Sequence, residues 1–423
     1  VSAPTFASAH STLDDAASAA AACAEACGER LRALTGSRTC DLAIVFYSPA
    51  HTPFAGAISA VVNASLSPFC LVGVSAETVI EGTRELENLP GLSILAARLP
   101  GATITPFLAD HFSPVDGSRK SQDRISSVLR FDRDHRVSLF FADPYSIPLV
   151  RLLPAIDTAR KETGAGPLFG GLASAGTKPG ENALILNGRV LHQGALGVSI
   201  SGPIAFDAVI SQGCVPFGPT FVITRAKANL ITELGGRPAL EVVREAVSEL
   251  PDNRREQLEN GLLIGRVIDE YKERFGRSDY LIRPLLGAEE SSQAIAVADL
   301  VRIGQTVRLH MRDAATAEQD LGLLLDAQKL HDPPAGALLV TCNARGSKLF
   351  SRADADATAV HRAFREQPDT PPATPALPLA GFSAAGEIGP VGPHCYVHGQ
   401  TACLGLFRPF NRAADVGSAN SAS

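Results

Sequence analysis

Ala337-Leu338-Leu339-Val340-Thr341-Cys342, followed after a loop and a helical stretch by Leu379-Ala380-Gly381-Phe382-Ser383-Ala384, is the passage on which the fold turns. Each half is a short apolar run with the length and composition of a buried strand. Between them Ala357, Val360 and Phe364 recur at helical spacing. The order is strand, loop, helix, then glycine, an apolar residue and two small ones. A glycine followed by Ser or Ala lets backbones approach closely and leaves room beside them.

The same order occurs twice more upstream. Ala43-Ile44-Val45-Phe46-Tyr47 leads through a helix with Ile58, Val61, Val62 and Leu66 to Leu71-Val72-Gly73-Val74-Ser75-Ala76. Val137-Ser138-Leu139-Phe140-Phe141 leads through a helix around Leu149 to Ile156 to Gly170-Gly171-Leu172-Ala173-Ser174. The spacing varies, so this is a weak internal repeat rather than a solenoid. Two readings follow: tight packing of a strand against a helix in each copy, or three loops contributing to one pocket. Copies two and three also continue alike. After Gly171 come Ala183-Leu184-Ile185-Leu186, the turn Asn187-Gly188 and Val190-Leu191-His192, a strong hairpin signal. After Gly381 come His394-Cys395-Tyr396-Val397-His398 and Thr401-Ala402-Cys403-Leu404.

A first helix over 12–36 is expected, capped by Thr12, with Asp14 and Asp15 near its positive end. A turn cluster at Gly213–Pro219 suggests a domain boundary near Val222. Beyond it lie a helix started by Pro238 and a β-rich stretch through Tyr280-Leu281-Ile282-Arg283, Ala294-Ile295-Ala296-Val297 and Thr306-Val307-Arg308-Leu309-His310. Asp313 reads as the cap of the next helix, and 368–378, rich in Pro, Thr and Ala, reads as a loop. The expected organisation is an N-terminal domain over 1–221, a C-terminal domain over 222–410 and a flexible tail at 411–423. The fold class is α/β: two related domains of mixed β-sheets flanked by helices, with a stacked αββα layering compatible with it.

Composition narrows the function. There is no Trp, aromatics are 6%, and the net charge is −6. Base-stacking platforms and a basic face for phosphates are therefore not expected, and nucleic acid is excluded as a partner. The eight cysteines are dispersed without a Cys-x-x-Cys pair and read as reduced thiols of a cytosolic protein. No signal peptide is evident and no apolar run reaches membrane-spanning length, so a cytoplasmic location with no membrane partner is expected.

Familiar catalytic patterns are missing. Gly164-x-Gly166 before Phe169-Gly170-Gly171 lacks dinucleotide-fingerprint spacing, and there is no phosphate loop or Gly-x-Ser-x-Gly elbow. His394 and His398 would share a strand face that Cys395 does not, which argues against zinc. Cys342-Asn343-Ala344-Arg345-Gly346-Ser347 is the most informative stretch. It stands where a buried strand ends, and ligands of α/β sheets commonly bind off such ends. Arg345 suits bidentate pairing with a carboxylate, and a nearby Arg can lower a thiol pKa. Against this stands a buried Cys with a surface Arg. A nucleophilic Cys342 would need a base, for which His398 is the candidate. In Gly386-Glu387-Ile388-Gly389-Pro390-Val391-Gly392, Glu387 suits either an amine or an Arg of the protein.

Together these stretches resemble the FIST family (F-box and intracellular signal transduction). The N-terminal markers are Asp41-Leu42-Ala43-Ile44-Val45-Phe46, Gly73-Val74-Ser75-Ala76-Glu77, Arg84-Glu85-Leu86-Glu87 and Pro90-Gly91-Leu92-Ser93. The C-terminal ones are Asp279-Tyr280-Leu281-Ile282-Arg283, Val307-Arg308-Leu309-His310-Met311-Arg312-Asp313-Ala314, Cys342-Asn343-Ala344-Arg345-Gly346, Gly381 to Gly392 and His398-Gly399-x-Thr401-Ala402. Ala344 departs from an expected Gly, and Glu81-Gly82-Thr83 from a more glycine-rich run. The resemblance implies a bacterial sensory module of FIST-N and FIST-C halves that binds small ligands, amino acids or related metabolites. A separate signalling protein would be its partner. No firm catalytic residues come with it, and neither a metal nor a cofactor is expected. The expected ligand contacts are Ser75, Ser174, Cys342, Arg345, Ser383, Glu387 and His398, with Arg283 in second line. The alternatives are an enzyme using Cys342 and His398, and a protein-binding adaptor with a vestigial pocket.

Overall fold

A computed structural model describes residues 2–112, 115–258, 261–365 and 376–410. Most of the loop expected at 368–378, and the tail expected at 411–423, lie outside them. The described residues divide into two compact units, the larger drawn from 2–210, 324–397 and 402–410, the smaller from 211–323 and 398–401.

The larger unit is built from the threefold repeat. The first copy runs β1 (Thr5–Ser11), α1 (Ala16–Thr35), β2 (Leu42–Tyr47), α2 (Ala55–Leu66), β3 (Cys70–Ser75), a hairpin of β4 (Val79–Glu81) and β5 (Arg84–Leu86), and β6 (Leu92–Arg98). The second runs β7 (Thr103–Leu108), α3 (Arg119–Val128), β8 (His135–Ala142), α4 (Leu149–Thr163), β9 (Leu168–Leu172), the hairpin β10 (Leu184–Leu186) and β11 (Arg189–Leu191), and β12 (Ala195–Ser201). The third opens with β13 (Ile204–Gln212) and is then interrupted. The interruption carries β14 (Cys214–Lys227), β15 (Leu230–Leu234), β16 (Arg237–Pro238), α5 (Ala239–Ser248), α6 (Asp252–Gln257), β17 (Leu263–Val267), β18 (Tyr280–Glu289), β19 (Ala294–Val297) and β20 (Thr306–Arg312). After α7 (Ala314–Gln328) the copy resumes with β21 (Gly336–Cys342), α8 (Ala355–Arg365), β22 (Leu379–Ala384), the hairpin β23 (Glu387–Val391) and β24 (His394–His398), and β25 (Thr401–Pro409).

In each copy the two strands of the repeat pair in parallel: β2 with β3, β8 with β9, β21 with β22. Each pair lies inside its own six-stranded mixed sheet. The hairpin that follows does not stay at home. β4 of the first copy pairs with β22 of the third, β23 of the third with β9 of the second, and β10 of the second with β3 of the first. The exchange closes on itself, and each hairpin covers the strand edge that another copy would leave unpaired.

One face of each sheet enters a shared core, while α1 and α2 cover the other face of the first sheet, and α3 and α4 that of the second. At the centre each copy supplies one phenylalanine. Phe46 stacks on Phe382 with ring centroids 5.0 Å apart, and Phe141 lies 6.3 Å and 6.0 Å from them. Such pairs contribute about 0.5–1.5 kcal/mol each beyond their buried area. The Asn187-Gly188 turn is a two-residue hairpin joining Leu186 to Arg189, both turn residues at positive φ. The first helix begins later than expected. Its cap is Asp15, which accepts the Ser18 N–H at 2.8 Å, rather than Thr12. Thr12 stands too far upstream, because β1 runs on to Ser11 and the chain must turn before the helix starts.

The smaller unit is an antiparallel sheet in the order β14-β20-β17-β18-β19-β15-β16. The long β14 also pairs with β15, which closes six of these strands into a ring. Leu240, Val242 and Val243 of α5 share one apolar cluster with Phe217, Ile223, Ile231 and Leu309 of the sheet. Val222, the expected boundary, lies within β14, and the units change at 210/211 and again at 323/324.

Candidate functional site

The parallel pairs direct their C-terminal ends toward the turns of the exchange, where an α/β sheet has its unused loops. Ser75 ends β3. Its N–H donates to the Ala183 carbonyl at 3.0 Å and its Oγ accepts the Ala183 N–H at 2.9 Å. Ser383 on β22 repeats this with Thr78, at 2.9 Å and 3.0 Å. In the second copy the same position is Leu172, whose N–H donates to the Gly386 carbonyl at 2.9 Å. Ser174 sits two residues further on. It donates its N–H to the Ser75 carbonyl at 3.2 Å, accepts the Glu77 N–H on Oγ at 2.9 Å, and donates its hydroxyl to the Ser383 carbonyl. The structure thus brings the three serines into one hydrogen-bonded chain. In this state their hydroxyls serve backbone groups.

The third copy ends differently. Cys342 closes β21 opposite Ala384, and its carbonyl accepts the Arg345 N–H at 2.9 Å. The Arg345 side chain is wholly buried. Its Nε and Nη2 donate to the two carboxylate oxygens of Asp356, both at 2.7 Å, in the bidentate geometry that suits a guanidinium. Burial opposes the Arg345 charge. The charge and hydrogen bonds of Asp356, then the nearby Cys342 and Glu387, nevertheless raise its pKa above the ordinary value. Glu387 begins β23, is fully buried and lies opposite Gly171. The expected group of Cys342, Arg345 and Glu387 is therefore local to one strand end.

Two residues that sequence reasoning did not single out complete this end. Asp356 occupies the first turn of α8, where a carboxylate meets the positive end of the helix. Glu85, on the hairpin from the first copy, accepts the Ala357 N–H at 3.0 Å. Its carboxyl is pushed up to about 7, by burial first and then by the charge of Asp356, with the Ala357 N–H pulling the other way. The neighbouring Glu87 accepts the Ser347 N–H at 2.9 Å and its hydroxyl. A Cβ on Gly346, which has φ +61°, would stand 2.5 Å from that carboxylate, so this turn favours glycine. Lys348 spans Glu77 at 2.6 Å and the Asn343 carbonyl at 3.0 Å. The signal for Glu85 and Glu87 was their place in the Arg84-Glu85-Leu86-Glu87 marker. Asp356 had none beyond its position at a helix start.

The two remaining expected contacts lie in the smaller unit. Arg283 is part of an ion pair, Nε to Asp299 at 3.2 Å, beside Arg266 at 3.4 Å from the same carboxylate oxygen. His398 is buried. Cys342 and His398 thus belong to different compact units. Among the described residues no three His, Cys, Asp or Glu side chains gather as metal ligands, and no helix is long and apolar enough to cross a membrane.

Comparison with known proteins agrees along the chain. The FIST N domain matches residues 41–237 and the FIST C domain residues 239–390. An uncharacterized protein of Mycobacterium tuberculosis is 38% identical over 390 residues, covering 91% of this chain and 96% of its own length. An uncharacterized protein of Mycobacterium bovis is 36% identical over 400 residues, covering 94% and 97%.

Proposed function

This chain belongs to the FIST family, and on that premise we propose that it is a cytoplasmic sensory module that binds a small zwitterionic metabolite, an amino acid or a relative of one, at the end of β21. FIST domains are associated with sensory signal transduction. The observation that carries the ligand reading is the Arg345–Asp356 pair, wholly buried at a strand end with Glu85, Glu387 and Cys342 around it. A buried ion pair is a poor source of stability, because desolvation offsets most of its attraction. A pair at such a place is well suited to exchange. A ligand carboxylate takes the guanidinium in place of Asp356, and the ligand ammonium meets the carboxylates. A separate signalling protein would then read the change.

The test is a thermal-shift screen of the 20 amino acids (about 20 compounds) and other small metabolites, after native mass spectrometry of gently purified protein, since a ligand selective for the folded state raises its stability. Arg345→Lys keeps the charge and loses the bidentate fork. The expected result is stabilisation by one compound class in the wild type and its loss in Arg345→Lys. Equal stabilisation in both proteins removes Arg345 from the site, and no stabilisation by any compound removes the ligand reading.

A further inference from the structure

The exchanged hairpin β4–β5 carries a buried carboxylate onto another carboxylate. Glu85 and Asp356 are 5% and 2% exposed, and they meet at the first turn of α8. Asp356 has its cation in Arg345. Among the described residues Glu85 makes no ion pair, and its hydrogen bonds from α8 come from backbone N–H groups, that of Ala357 at 3.0 Å and that of Asp356. From the third copy come Asp356, whose charge acts on it, and Asp354, whose Oδ1 accepts the Glu85 N–H at 2.6 Å. From its own hairpin come Arg84, committed to Asp354 at 3.1 Å, and Glu87, committed to Ser347. Two buried carboxylates thus stand at one helix start, and the guanidinium of Arg345 is bound to Asp356.

We propose that β4–β5 is a proton-dependent latch, seated on the third copy when the buried Glu85 carboxyl holds its proton at the start of α8 and loosened when it is ionised. The direction follows from proton counting. In the seated hairpin Glu85 keeps its proton until about pH 7. In an opened hairpin it is an ordinary carboxyl that ionises near about 4.3. Between those values the seated state binds more protons. Its stability is complete below the lower value and is lost as pH rises through the upper one. Because β4 is also the strand that covers β22, loosening it exposes the edge of the sheet that bears Arg345. Proton release would then be felt at that strand end and passed to the first copy, to which the hairpin belongs.

The latch is readable on the full chain without any ligand, so its failure is separate from failure of the ligand reading. Hydrogen exchange of the Ile80–Leu86 and Ala357 amides is measured from about pH 6 to about pH 8 and corrected for intrinsic exchange. The opening constant of this hairpin is expected to rise about tenfold in wild type. Glu85→Gln, the size of the protonated acid, is expected to abolish that rise while the exchange of β12 stays as in wild type. An infrared difference spectrum, wild type minus Glu85→Gln at neutral pH, is expected to contain a carboxylic-acid C=O band. A flat pH response in the wild type, the same rise in Glu85→Gln, or no such band overturns the latch.

Discussion

The strand end of the first copy and that of the third are built on the same parallel pair and finished in opposite ways. After β2, Ser48 Oγ accepts the Gly91 N–H at 2.9 Å, His51 lies against the Gly91 and Leu13 carbonyls at 3.1 Å and 3.0 Å, and Tyr47 donates to the Ala183 carbonyl at 2.8 Å. Each of these side chains closes on backbone. After β21 contacts to backbone are joined by contacts from side chain to side chain: Arg345 to Asp356, Glu87 to Ser347, Lys348 to Glu77. Backbone partners cannot leave without unfolding the turn, whereas charged side chains can exchange partners. The second copy stands between, with Asp143 bonded by Asn182 at 3.0 Å and Ser146 at 2.7 Å. The first end reads as scaffold and the third as the place where something can change.

The sharpest way to break the comparison is at the glycines of the repeat. A Cβ on Gly381 would stand 1.8 Å from the Leu339 carbonyl oxygen, a backbone atom that cannot yield. A Cβ on Gly73 would meet the Ile185 side chain at 2.8 Å. Gly381→Ala is expected to cost more than about 4 kcal/mol or prevent folding, and Gly73→Ala about 1–3 kcal/mol, by urea denaturation. Equal effects would show that the two parallel pairs are not packed as described.

Next comes the ion pair. Arg345→Ala leaves Asp356 buried without its cation and is expected to cost about 3–5 kcal/mol. A loss below about 1 kcal/mol, the range of exposed pairs, would mean that water reaches this end. Smaller still is Ser75→Ala, which strands the Ala183 N–H and is expected to cost about 1–3 kcal/mol, with Tyr47→Phe near about 1 kcal/mol. Both should leave the response to any ligand unchanged. If Ser75→Ala instead abolishes it, the first copy shares the site. Least disruptive is alkylation of the native protein near neutral pH. Burial pushes Cys23, Cys40 and Cys70 up to about 12, so these thiols should label only after unfolding. Rapid native labelling at Cys70 would report opening of the first copy.

Much of the fold was legible. The three strand–helix–strand copies stood in Ala43–Ala76, Val137–Ser174 and Ala337–Ala384, because buried parallel strands read as short continuous apolar runs. Asn187-Gly188 gave its hairpin, and Asp313 caps α7 through the Thr316 N–H at 2.7 Å. The site was legible in part. Arg345, Cys342 and Glu387 stand close in sequence to strand ends that pair, so their neighbourhood could be inferred. That Asp356 and Glu85 join them could not, since Asp356 carries no motif and the marker that holds Glu85 does not show that its hairpin reaches Ala357, 272 residues away.

What the sequence by itself determined is the alternation of elements, the repeat, the family and the kinds of side chain available at each strand end. These depend on local periodicity and turn chemistry, which act over a few residues. The tertiary structure alone decided which hairpin covers which sheet, and hence which carboxylate meets Arg345. The three hairpins share two-residue turns and have similar edges to cover, so local preference does not distinguish a hairpin that folds home from one that crosses to a neighbour. The choice is made by packing, with Phe46, Phe141 and Phe382 meeting at the centre and β4, β10 and β23 each laid on another copy's strand. Those contacts join residues far apart in sequence, and their free energy exists only once all three copies are in place.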